Sequence, residues 1–246
     1  MNRHTLETPG GSSLLFVGPP LKEGPKPALF YFALSSKDSL EKDPFNQPVQ
    51  YLQGSAFRIF SMTLPGHENN LPPENALTLW AEKMKKGEAV LAPFIKQLKE
   101  AIDHLTPYFL EGQLSVAGLS RGAFIACHIA ALCPQITHIL GFAPLTKLEQ
   151  TKEFRDSQIE TWDLEHLTSV LCNRTVRFYI GNQDTRVGTQ HAFDFIHKLA
   201  TAAQQRRIRS SPIELIIGPS IGYQGHGTSP SVFQSGVDWL KEEVLK

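Results

Sequence analysis

"LSVAGLSRGAF", Leu114 to Phe124, changes character at its centre. Leu114 to Gly118 has the apolar make-up of a buried strand, and Arg121 to Cys133 is a run apolar nearly all round, the mark of a buried helix. Gly118, Ser120 and Gly122 lie at the junction. A serine on such a sharp turn would have the N–H groups of the following helix directed at it, where a developing negative charge is stabilised. The plainer alternative is a serine chosen only for a tight turn. Gly-x-Ser-x-Gly alone does not separate the two, so the rest of the chain has to.

Outward from that stretch, other continuous apolar runs read as strands buried on both faces. They are Ala28–Leu34 (ALFYFAL), Phe57–Thr63 (FRIFSMT), His138–Pro144 (HILGFAP), Val176–Gly181 (VRFYIG) and Ile213–Gly218 (IELIIG). Helical periodicity fills the region from Pro73 to Leu105, with Gly87 and Pro93 as its breaks, and recurs in TQHAFDFIHKLATAAQQ and SVFQSGVDWLKEEVLK. HTLETPGGSSLLFVG reads as a hairpin around a Pro-Gly-Gly turn, LPGHENN as the turn after the Phe57–Thr63 strand, and FNQPVQYLQ as a short, poorly helical connection. Alternating buried strands and helices predict an α/β fold: a mostly parallel central sheet with helices on both faces, preceded by an N-terminal antiparallel hairpin. No composition break, repeat or low-complexity tract divides the chain, so one domain over 1–246 is expected, with a small or absent cap within 145–174.

The 246 residues carry 24 Lys+Arg against 24 Asp+Glu, a formal charge of +0, with 41% hydrophobic content. That balance points away from nucleic acid and anionic membrane surfaces. The basic run QQRRIR at Gln204–Arg209 reads as a solvated helix end. No apolar stretch approaches the length of a membrane span, and Leu14–Val17 is too short for a signal sequence. Three cysteines without metal spacing read as buried free thiols, and the expected compartment is the cytoplasm.

In a parallel sheet, ligands bind beyond the carboxyl ends of the strands. GNQDTRV places Asp184 after the fifth buried strand, and GPSIGYQGHGTSP places His226 between glycines after the last. A serine hydroxyl needs a base and the base an orienting acid, so Ser120, His226 and Asp184 are the candidate nucleophile, base and acid. Asp163 and Asp194 compete as acids but fall in the cap and inside a helix, and His67 reads as a turn residue. His128, His138 and His197 read as packed or surface imidazoles. Arg121 and Arg186 flank the site; either could bind an anionic substrate group, but pairing with nearby carboxylates is the favoured reading for both. Trp80, Trp162 and Phe142 read as core.

The chain resembles the α/β-hydrolase superfamily along nearly its whole length: GLSRGAF resembles the nucleophile elbow, GNQDTRV the acid loop, GHG the histidine loop, and LPGH the turn before the long helical region. Within it, the SRG and DTRV wording and the small cap most resemble the dienelactone-hydrolase and prolyl-oligopeptidase-like branch. The resemblance implies a serine hydrolase acting on an ester or thioester of a small molecule through an acyl-enzyme, with no cofactor or metal. It also implies an oxyanion hole built from the Arg121 backbone N–H and a second N–H from Leu34 or Ser35. FALSSKDS departs from the family there, because it lacks the His-Gly pair that many members carry. A narrow-specificity peptidase or amidase, and a silent hydrolase fold serving as a binding module, are the rival readings.

Overall fold

A computed structural model of the chain describes residues 3–68, 71–155 and 160–246. Asn69 and Asn70 of the LPGHENN turn, and residues 156–159 of the expected cap, lie outside the described residues.

One eight-stranded sheet runs in the order β1-β2-β4-β3-β5-β6-β7-β8. The hairpin of β1 (Arg3–Glu7) and β2 (Ser13–Val17) is antiparallel and joins β4 (Arg58–Ser61) in antiparallel fashion. From β4 onward through β3 (Lys26–Phe32), β5 (Phe109–Leu119), β6 (Ile136–Phe142), β7 (Thr175–Gly181) and β8 (Ile213–Gly218), every pairing is parallel. The apolar runs are continuous because both faces are covered. Phe30 and Phe32 enter a core with Trp80, Leu98, Phe124 and Leu199 on one face, while Leu29 and Tyr31 enter a second core with Leu40, Val49 and Trp239 on the other. The first face carries α3 (Ala76–Lys85), α4 (Leu91–Leu105), α5 (Arg121–Leu132) and α7 (Thr189–Gln205). The second carries α1 (Ser36–Glu41), α2 (Gln47–Tyr51) and α8 (Pro230–Val244).

Three local expectations change. FNQPVQYLQ, which reads as a short, poorly helical connection, contains the helix α2, and α1 forms ahead of it, started by the Ser35 hydroxyl accepting the Asp38 N–H at 3.0 Å. The long helical region breaks at Gly87, whose φ is +77°, whereas Pro93 falls in the first turn of α4, where its missing N–H forfeits no helical bond. The connection between β6 and β7, part of which a crossover between parallel strands predicts to be a helix, holds among the described residues only short helical turns and the one-turn helix α6 (Thr168–Leu171). Leu145, Leu148, Phe154, Leu164 and Leu171 are all buried, so this insertion packs into the core.

At the amino ends of the parallel strands, Arg58 is fully buried and meets only backbone oxygens. Its Nε donates to Pro19 O at 2.7 Å, Nη1 to Tyr108 O at 2.9 Å, and Nη2 to Pro20 O and Gly24 O at 2.7 Å each. The three cysteines are free and buried. Among the described residues no helix is long and apolar enough to cross a membrane.

Candidate active site

Ser120 stands between the last residue of β5 and the first of α5, with φ 54° and ψ −116°. A non-glycine residue held there costs on the order of 1–3 kcal/mol and persists only when its surroundings over-determine it. They do: Ser120 N–H donates to Phe142 O at 2.8 Å, and Ser120 O accepts from Ala123 at 3.0 Å and Leu145 at 3.2 Å. The flanking glycines follow from close backbone approach. A Cβ on Gly118 would lie 2.1 Å from the Gly122 carbonyl carbon, and one on Gly122 would lie 1.9 Å from Phe32 O.

Asp184 and His226 arrive from the ends of β7 and β8. Asp184 Oδ1 accepts the N–H groups of Arg186 at 3.0 Å and Val187 at 3.1 Å, which leaves Oδ2 facing His226 Nδ1 at 2.7 Å. His226 Nε2 lies 2.9 Å from Ser120 Oγ. A carboxylate only accepts, so Nδ1 carries the imidazole proton and Nε2 accepts from the serine hydroxyl. The Asp184 side chain is fully buried while that of His226 is 21% exposed, so the array opens toward solvent from acid to serine. The two loops are tied together: Thr185 N–H donates to Gln224 O at 2.9 Å, and Gln183 N–H to Ser220 Oγ at 2.6 Å. Gly225, at φ +70°, passes so close to Gln183 O that a Cβ would meet it at 2.3 Å.

Of the candidate oxyanion donors, the Arg121 N–H has no acceptor among the described residues, as the first residue of a helix should not. The Leu34 N–H is already engaged: it donates to Ser39 Oγ at 3.0 Å, beside the Ala33 N–H at 3.1 Å. Among the described residues Ser35 N–H has no acceptor, so it is the free donor of the pair.

The competitors lie elsewhere. Asp163 is buried and accepts the Leu148 N–H at 2.9 Å; burial pushes its carboxyl up to about 6. Asp194 accepts from Gln190 on the surface of α7. His128 Nε2 meets Trp162 O at 2.9 Å, and His138 Nδ1 meets Thr137 Oγ1 at 2.7 Å. His67 is buried, and its Nε2 has no partner among the described residues; burial, then the nearby Arg121 cation, push its imidazole down to about 3.

The two flanking arginines differ. Arg186 pairs with Glu153 through both guanidinium ends, Nη2–Oε1 at 2.8 Å and Nη1–Oε2 at 3.3 Å. Arg121 makes no ion pair among the described residues, and its Nη2 donates to Pro73 O at 2.9 Å. Sequence reasoning did not single out Ser39, Glu153 or Thr189, whose hydroxyl accepts the Asp184 N–H at 3.0 Å. Ser39 and Thr189 are short polar residues beside turns, like many others, and nothing in the sequence marks Glu153.

A cavity of about 280 Å³ opens beside the histidine loop, between Tyr179, Ile216, Ile221, Gly227 and Val232; Ser120 is not among its walls.

Strand order, antiparallel hairpin and a serine at the β5–α5 junction together define the α/β-hydrolase fold, and the chain has it. The Thermus thermophilus protein TT1662 superimposes over 100% of both chains with a TM-score of 0.72 at 18% identity. Est1E from Butyrivibrio proteoclasticus, determined with ferulic acid bound, covers 99% of this chain and 100% of its own with a TM-score of 0.68 at 12% identity. Porphyromonas gingivalis dipeptidyl peptidase 4 covers 98% of this chain, which spans 35% of that protein, with a TM-score of 0.68 at 12% identity. No protein-family model matches the sequence, and no curated protein matches it.

Proposed function

We propose that this chain, as one domain, is a serine hydrolase that cleaves an ester or thioester of a small molecule. The observation that carries the reading is the continuous hydrogen-bonded array Ser120–His226–Asp184, at 2.9 and 2.7 Å, on a backbone turn held in a strained conformation. His226 Nε2 takes the Ser120 proton as Oγ bonds to the substrate carbonyl carbon. The oxyanion so formed accepts from the N–H groups of Arg121 and Ser35, each worth about 3 kcal/mol in the transition state. Asp184 holds the imidazole tautomer and stabilises the imidazolium. Collapse breaks the bond to the alcohol or thiol, which leaves with the proton from His226. Water then gives its proton to His226, attacks the acyl-enzyme, and the proton returns to Ser120 Oγ as the acid departs.

A peptidase reading uses the same residues, and a peptidase is among the structural neighbours, but this chain spans about a third of it. The ester reading is favoured by the insertion after β6, whose described residues pack into the core. The test is labelling with a fluorophosphonate probe, with Ser120→Ala and His226→Ala beside the wild type. The wild type alone is expected to be labelled, with the adduct mapped to Ser120. A folded wild type that stays unlabelled overturns the reading, and labelling that persists in Ser120→Ala moves the nucleophile elsewhere.

A further inference from the structure

Arg121 directly follows Ser120 in the chain and Arg186 lies two residues after Asp184, and among the described residues only Arg186 has a carboxylate in contact. Arg186 occupies both oxygens of Glu153, whose side chain is 4% exposed. Arg121 is left with one neutral acceptor, Pro73 O, and its Nε is fully buried without any acceptor among the described residues. Burial first, and then the Arg186 charge, lower its pKa to about 10, while Glu153 and Glu74 act on it only from a distance. Glu74 is exposed and solvated. His67 is held neutral, so its charge neither adds to nor offsets that of Arg121. A largely buried cation with few acceptors is costly unless an anion reaches it; the sealed Nε is out of reach, whereas Nη1 has no acceptor among the described residues and keeps some exposure.

We propose, resting on the reading of Ser120 as nucleophile, that Arg121 is the specificity-determining residue: it receives a carboxylate carried by the substrate, within one side chain's reach of the scissile carbonyl. The substrate class is therefore the monoanionic ester or thioester, such as a half-ester of a dicarboxylic acid. Guanidinium geometry suits a carboxylate, because its planar fork meets two oxygens at once. A single negative charge balances Arg121, whereas a dianionic phosphate would leave an excess facing Glu153 and Glu74.

Binding to the uncleaving Ser120→Ala protein tests this without requiring hydrolysis. Calorimetry would compare monomethyl glutarate, with its carboxylate on the acyl side, 4-acetoxybutanoate, with it on the alcohol side, and neutral dimethyl glutarate. At least one monoanion is expected to bind about tenfold to a hundredfold tighter than the diester, the range of a charge-assisted hydrogen bond. The tighter monoanion identifies the side. In the same background, Arg121→Met is expected to bring the preference below about threefold, and Arg121→Lys, which keeps the charge but not the fork, to leave part of it. Equal binding of all three esters, or a preference that survives both substitutions, overturns the proposal. Failure of the fluorophosphonate experiment would instead remove the hydrolase reading and leave an anion site still measurable by the same titration.

Discussion

Arg58 and Arg121 are the same side chain at opposite ends of one sheet. Arg58, at the amino ends of the parallel strands, is wholly buried and directs four hydrogen bonds at four backbone oxygens. Arg121, at the carboxyl ends, has one such bond and a buried Nε with no acceptor among the described residues. Neither has a carboxylate within contact among the described residues. The difference is one of completeness: four carbonyl dipoles replace the water that Arg58 gives up, and a single carbonyl does so for Arg121. Satisfied buried polar groups fasten a structure, and unsatisfied ones weaken it unless a further partner reaches them.

The largest expected effect tests the closed end. Arg58→Met takes a donor from each of four carbonyls, Pro20 O still accepting the Glu23 N–H at 3.1 Å, and is expected to cost about 3–5 kcal/mol in urea unfolding. A cost below about 1 kcal/mol would break the comparison, because Arg58 would then be no more fastened than a surface residue.

Asp163 is a buried carboxylate of intermediate standing, with one N–H donor from Leu148. Its folded pKa is raised from 3.8 to about 6 by burial, so between those values the native state holds the proton more tightly than the unfolded chain. Its contribution to stability therefore falls as pH rises through that window and is constant above it. Asp163→Asn keeps an oxygen for Leu148 and should gain up to about 2 kcal/mol on the wild type between pH 4 and pH 7. A stability difference independent of pH would remove Asp163 as a strained group.

Ser39 is the carboxyl-end counterpart of Arg58, a fully buried hydroxyl receiving two backbone N–H groups. Ser39→Ala is expected to cost about 1–2 kcal/mol by thermal or urea unfolding. On the proposed mechanism it also lowers kcat for a neutral ester, because the segment carrying the Ser35 N–H loses its anchor. Unchanged kcat would take that segment out of the oxyanion hole.

The smallest expected effect sharpens the comparison most. Arg121→Met should change stability by less than about 1 kcal/mol or raise it, since an apolar side chain of similar length removes an uncompensated charge. If it costs as much as Arg58→Met, the two arginines are equivalent and the asymmetry between the sheet ends is lost.

Most of the fold was readable in the chain because strands buried on both faces are written as unbroken apolar runs, and Phe30, Ile139 and Phe178 lie in such runs. The short helices α1 and α2 were hidden: one begins at a serine cap within FALSSKDS, and the other carries Pro48 in its first turn. The helix expected in the crossover between β6 and β7 is a single turn among the described residues, because a parallel connection asks for chain length and leaves the amount of helix open. At the site, Ser120, Asp184 and His226 each stand after a strand among glycines, so they could be picked out singly. Glu153, which separates the two arginines, sits in a charged stretch resembling any solvated one.

The sequence alone determined the periodicities, the glycines at the strand ends and the order in which serine, aspartate and histidine follow separate strands. These are local properties, set by backbone sterics and by which side chains avoid water. The tertiary structure alone decided which N–H after β3 is free, which arginine meets a carboxylate, and that His226 reaches Asp184 and Ser120 across separations of 42 and 106 residues. Hydrogen bonds and ion pairs act over about 3 Å, and only the packed sheet brings groups that far apart in the chain to that distance.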